Sequence, residues 1–147
     1  MVSVAWDTLA WSDVWQLIAD NLARKHSASP VHSAEELALL HQRFPEQIRV
    51  AWASHGGTPV AAVVLFNTRQ VWHAQYIASS ELGYETHALD AIFDAAISRA
   101  TEAGARYFDF GTSNEDAGKT LNSGLYRFKS EFGGGGVAHE FYQLNLQ

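Results

Sequence analysis

Apolar residues recur along this chain at two periods, and the switches between them lay out the elements. Val14, Leu17, Ile18 and Leu22 fall at helical spacing. They predict a first helix from about Ser12 to Lys25, with Ser12 or Asp13 as its cap and Arg24 and Lys25 at the C-terminal end, where cations suit the carbonyl dipole. After the break HSASPVHS, Ser33 and Glu36 have the spacing of a capping box, in which each side chain satisfies the other's backbone donor. Leu37, Leu40 and Phe44 predict the buried face of a second helix, which Pro45 ends by disfavouring helical geometry in the residue before it. Two β-rich runs follow, Ile48 to Ser54 and Val60 to Asn67, joined by HGGTP, whose glycines supply a tight hairpin turn. In VWHAQYIA, Val71 to Ala78, strict alternation sets Trp72, Ala74 and Tyr76 against Val71, His73, Gln75 and Ile77, so a third antiparallel strand is expected with Tyr76 facing away from His73. Leu89, Ile92, Phe93, Ala96, Ile97 and Ala100 then mark the strongest helix, from about Tyr84 to Ala103, with Gly104 placed to terminate it.

The stretch YFDFGTSNEDAGKTLNSGLYRFKSEFGGGG, Tyr107 to Gly136, carries the candidate chemistry. Phe108 and Phe110 share one face of a short strand and Tyr107 and Asp109 the other. Leu121, Leu125, Phe128 and Phe132 predict the apolar stripe of a following helix, with Asn122, Tyr126 and Lys129 lining a neighbouring face. Such a unit buries one side and presents a carboxamide, a hydroxyl and an amine from the other, beside the Asp109 carboxylate. A last strand is expected from Val137 to Leu146, after four glycines that suit a tight or mobile loop.

Composition narrows the classes. The chain has 147 residues, 47% of them hydrophobic, which suits one α/β domain, residues 1–147, with a core of its own. Its net charge of −6, without a basic run, lacks the electrostatic footprint of a nucleic-acid binder. The absence of cysteine removes disulfides and thiolate nucleophiles. No histidine pair has a short ligand spacing, so no metal is expected. MVSVAWDTLAWSDVW lacks the basic start and apolar core of a signal peptide, and no run is long enough to span a bilayer, so a cytoplasmic location is expected. SNEDAGKT, Ser113 to Thr120, ends like a phosphate-binding loop, but Ser113 stands where a glycine is required and two carboxylates would enter the cradle.

The resulting order, α-α-β-β-β-α-β-α-β with a mixed central sheet flanked by helices, resembles the GNAT acyltransferase fold. FDFG followed by LNSGLYRFKSEFGG is similar to the C-terminal motif of the FemAB-like branch. The resemblance implies transfer of an acyl group from acetyl-CoA to a primary amine, of a small molecule, a sugar nucleotide or a cell-envelope precursor. It implies Tyr126 as proton donor to the leaving group, Lys129 as oxyanion or anion contact and Asp109 as base or orienting carboxylate. His73, Gln75 and Asn122 are implied as substrate contacts. SELGYE, Ser80 to Glu85, occupies the place of the family's diphosphate loop, but only Gly83 fits that pattern, with Ser80 and Glu85 departing from it. FemAB-like proteins have two such halves and this chain has the length of one. Two alternatives follow, a noncatalytic half that binds a ligand or dimerises and a FemAB-type aminoacyl transferase. A lone half is expected to form a homodimer, with surface near Trp6, Trp11 and Trp15 as candidate.

Overall fold

The computed structural model describes residues 1–26 and 30–145. They gather into two compact units, Met1–Gly111 and Thr112–Gln147. In chain order the first contains β1 (Val2–Trp6), α1 (Trp11–His26), α2 (Ala34–Arg43), β2 (Ile48–His55), β3 (Thr58–Asn67), β4 (Val71–Ser79), α3 (Glu81–Glu85), α4 (Ala88–Glu102) and β5 (Tyr107–Asp109). The strands form one sheet in the order β1-β2-β3-β4-β5, antiparallel from β1 to β4 and parallel between β4 and β5. This is the expected mixed sheet, and β5 reaches β4 through the helical crossover that a parallel neighbour requires.

Each face of the sheet has its own helical cover. Val50, Ala62, Val64 and Ala78 pack with Val14 and Ile18 of α1 and Leu37 of α2. On the other side α4 buries Leu89, Ile92, Phe93, Ala96 and Ala100, and the Phe93 ring lies 6.0 Å from Phe108 and 4.9 Å from Phe110. Each such large side chain taken from water contributes about 1.5 to 3 kcal/mol, so the two layers supply the drive to fold this unit. Gly56 and Gly57, at φ 60° and 84°, make the β2–β3 turn. The Ser33–Glu36 capping box is present at the start of α2.

The structure corrects several boundaries. β1 was not expected: its alternation spans five residues only, and it exists because β2 offers an edge along which Val4 pairs with Ala53. Helix α1 begins at Trp11, ahead of both expected caps. Phe44 is not on the buried face of α2; it lies beyond the helix end and is 49% exposed. The single helix expected from Tyr84 to Ala103 is two, α3 and α4. His87 between them takes a left-handed φ of 55°, and the Thr86 hydroxyl closes α3 by donating to the Leu82 carbonyl at 2.7 Å. The apolar periodicity begins only at Leu89, and Tyr84 and Glu85 never belonged to it.

In the second unit, β6 (Asn114–Glu115) and β7 (Thr120–Leu121) form a small antiparallel hairpin around one 3-10 turn at Asp116–Gly118, and α5 spans Ser123–Ser130. Thus Ser113 to Thr120 is a hairpin turn. Leu121 lies on β7, 50% exposed, outside the helical stripe assigned to it. The strand expected from Val137 is absent: residues 137–145 take neither helix nor strand geometry, and Leu146 lies outside the described residues. Val137, Phe141, Tyr142 and Leu144 are each at least 80% exposed, so this apolar run gains little from burial.

Candidate functional site

The register of β4 against β5 pairs His73 with Asp109, which therefore project from the same side of the sheet. His73 Nδ1 and Asp109 Oδ2 are 2.7 Å apart, and Asp109 Oδ1 accepts from the Gly111 N–H at 2.8 Å. An ionised carboxylate can only accept, so the imidazole proton belongs on Nδ1 and the lone pair on Nε2. Asp109 thus fixes both the ring orientation and the tautomer of His73. The side chains are 33% and 51% exposed, so this is a solvent-accessible dyad at the mouth of the sheet.

The rest of the wall depends on an irregularity. Between the pairs Val64–Tyr76 and Leu65–Ala74 the β3–β4 register shifts, which leaves Gln75 as an extra, unpaired residue of β4. The bulge resets the alternation. Phe66 stands opposite His73, and Val64 opposite Tyr76, so Tyr76 shares the face of His73. Strict alternation had set Tyr76 on the opposite face; one additional residue overturns that. His32, in the connection from α1 to α2, joins them: its Nδ1 is 2.7 Å from the Tyr76 hydroxyl and its ring 6.0 Å from Phe66. The Trp15 indole holds the His32 carbonyl at 3.0 Å. His32, Phe66 and Tyr76 therefore wall one side of a face whose other end carries His73 and Asp109. The sequence reading missed His32, which sits in a break with no periodicity, and misplaced Tyr76, whose only signal is a bulge.

Beyond His73 the parallel ladder stops, while β4 continues to Ser79 with no paired strand on that edge among the described residues. At its end the turn into α3 is closed on itself. The Ser80 hydroxyl accepts from the Gly83 N–H at 3.1 Å, and a Cβ on Gly83 would collide with the Ser79 hydroxyl and the Val60 carbonyl. Close packing therefore accounts for this glycine. Glu81 and Glu85 stand exposed around it. A cation comes from elsewhere, for Arg24 of α1 donates to the Ser79 carbonyl at 2.6 Å.

The remaining sequence candidates lie in the second unit. Asn122 is not on a helix face but is the N-cap of α5: its Oδ1 accepts from the Leu125 N–H at 2.9 Å, and its Nδ2 donates to Glu115 at 2.7 Å. Lys129 is only 8% exposed, and its ammonium donates to the Thr112 carbonyl at 2.6 Å. The presented amine expected from helical spacing is thus a buried donor. Tyr126 is 44% exposed. Trp6, Trp11 and Trp15 do not form an open patch. Trp6 meets Trp72 edge to face at 6.3 Å, Trp11 packs on His41 at 5.4 Å, and Trp15 lies against the core. Among the described residues no group of three His, Asp or Glu side chains could hold a metal ion, and no helix is long and apolar enough to cross a membrane.

Residues 2–130 match the sequence profile of the Acetyltransferase (GNAT) domain family. The fold is similar to that of a possible acetyltransferase from Clostridium difficile 630, at TM-score 0.75 and 4% identity over 100% of this chain and 99% of that one. It is also similar to the aminoglycoside acetyltransferase meta-AAC0020 from an uncultured soil metagenomic sample, at TM-score 0.66 and 14% identity over 98% and 97% of the two chains. A ribosomal-protein-alanine N-acetyltransferase from Brucella melitensis biovar Abortus 2308 superposes with TM-score 0.60 and 14% identity over 100% of both. No curated protein matches the chain by sequence.

Proposed function

Because the chain belongs to the Acetyltransferase (GNAT) domain family, we propose that it moves an acyl group from acyl-CoA to a primary amine of a small molecule, with His73 as general base. The observation that carries the reading is the 2.7 Å contact between His73 and Asp109 on an accessible face. An amine must shed a proton as it bonds to the carbonyl carbon of the thioester and the thiol departs. His73 Nε2 is the acceptor for that proton, and Asp109 favours the imidazolium that results. The aromatic wall of His32, Phe66 and Tyr76 suits the carbon skeleton around the amine and narrows its approach.

The acyl donor supplies an activated carbonyl. The unpaired edge of β4 between Ala74 and Ser79 fits an amide-bearing arm, which would add to it by backbone hydrogen bonding. The turn at Ser80–Glu85 does not fit the family's diphosphate loop, since its glycine donor is already taken by Ser80 and two carboxylates flank it. Arg24 is the cation we assign to that end of the donor. Glu81 and Glu85 also favour a second reading, a noncatalytic ligand-binding or dimerising domain of the same fold. Aminoacyl transfer of the FemAB type would require a tRNA donor, which a net charge of −6 opposes. As acceptor we place a small amine or amino-sugar nucleotide ahead of a macromolecule. The residues of this reading come from one chain, so it stands with or without homodimerisation.

The test is release of free thiol from acetyl-CoA with a polyamine, an aminoglycoside, an alanine-terminated peptide and a UDP-linked amino sugar. Amine-dependent release that falls sharply in His73→Gln supports the reading. No release with any amine moves the protein to the noncatalytic reading, and equal release by wild type and variant removes His73 from the chemistry.

A further inference from the structure

On the other face of the sheet from His73, a cavity of about 320 Å³ opens between the start of β2, the β3–β4 turn and the end of α4. Asn67 and Trp72 stand opposite each other across β3 and β4 on that face. Asn67 is 7% exposed, lines the cavity, and has no hydrogen-bond partner at either Nδ2 or Oδ1. A buried amide with both ends unmet is rare in folded proteins, and beside a cavity such a side chain gains hydrogen bonds by turning toward an occupant.

The charges around it define that occupant. Arg49, Arg69 and Arg99 all reach the cavity. Arg49 is committed, donating to Asp7 through Nε at 2.9 Å. Arg99 lies over the Trp6 ring, 4.6 Å from its centroid, a support that holds the guanidinium in place without neutralising it. Neither Arg69 nor Arg99 has a carboxylate partner among the described residues. Two unneutralised planar cations suit a carboxylate, which they grip through paired N–H donors. Asn67 adds a second requirement, because its Oδ1 needs a donor, and neither a bare carboxylate nor the dianion of a phosphate monoester supplies one. The ligand must carry a hydrogen-bond donor beside its carboxylate, and the exposed Glu46 carboxylate at the rim favours an ammonium over a hydroxyl as that donor. The volume lies at the small end of the range for ligand sites.

We infer that this cavity binds a small α-amino acid, its carboxylate on Arg69 and Arg99 and its ammonium on Asn67 Oδ1 and Glu46, on the sheet face opposite the His73–Asp109 dyad.

The experiment follows the side-chain amide signal of Asn67 in a 15N-labelled sample titrated with L-serine and L-glutamine, with acetate and inorganic phosphate as anion controls. Saturable shifts with an amino acid and weaker ones with the controls are expected. Arg69→Ala, a change on an exposed turn, is expected to weaken the amino acid about tenfold or more, the loss of one charge-assisted contact. Asn67→Leu removes the unmet amide, so the fold survives, and calorimetry on it should show the binding gone. The inference is overturned by an Asn67 signal that responds to neither amino acid, by acetate and phosphate binding as well as the amino acids, or by unchanged affinity in Asn67→Leu.

Discussion

The two units hold their polar residues in opposite ways. In Met1–Gly111 the functional candidates sit on a sheet, where register fixes them: His73 meets Asp109 because β4 and β5 pair in parallel, and Tyr76 joins them because one bulge turns the strand. In Thr112–Gln147 the candidates sit around one eight-residue helix, and two of three are absorbed by holding it, Asn122 as its cap and Lys129 as a buried donor to Thr112. A side chain on a paired strand can be spared for chemistry because the backbone is already satisfied by its neighbours. A short helix needs its polar residues for itself.

The contrast can be broken by substitution. The largest effect is expected from His73→Gln, which removes the base and should lower kcat/KM by about 10²-fold or more with unchanged melting. Asp109→Asn should cost less, roughly tenfold, and leave binding of the acyl donor intact, which separates orientation from contact. Next come the glycines. Gly83→Ala forces a Cβ against the Ser79 hydroxyl and Val60 carbonyl and should destabilise the first unit by about 1 to 3 kcal/mol in chemical denaturation. Gly134→Ala, with open space around it, should stay within about 0.5 kcal/mol. Lys129→Ala should raise hydrogen exchange in α5 by an amount corresponding to about 1 to 3 kcal/mol, since the Thr112 carbonyl loses its donor. An unchanged exchange pattern would return Lys129 to the list of ligand contacts. A change of opposite sign is expected from Asn67→Leu, which should raise stability by about 1 kcal/mol by removing a buried amide that nothing satisfies.

What the sequence made legible follows the same division. The β2–β3 hairpin, the α2 capping box and the parallel pairing of Tyr107–Asp109 with β4 were readable because each has a local cause: paired glycines, reciprocal hydrogen bonds, or a crossover helix that dictates direction. His73, Gln75 and Asp109 were readable as candidates by alternation, and the structure brings His73 and Asp109 together. Their meeting with Tyr76 and His32 was hidden, because it rests on a register shift between strands and on a connection without periodicity. Lys129 shows the converse. Helical spacing placed it on a face but could not say that the Thr112 carbonyl would come to meet it. β1 and the run after Val137 show the limit of alternation as a guide: a modest five-residue pattern became a strand on the edge of β2, and a stronger apolar run takes no strand geometry through residue 145.

The bulge at Gln75 also sets how this chain must be lined up with others. Positions before and after it keep different parity, so a relative lacking the extra residue corresponds to this chain only with a one-position gap inserted there. Matched without that gap, its inward positions would fall on outward ones through Ser79, and the counterpart of Tyr76 would be sought one place too far along. A deletion of Gln75 offers the same lesson at the bench. Tyr76 would keep its side of the sheet beside a straightened strand, so any lost activity would report the bend and not the wall.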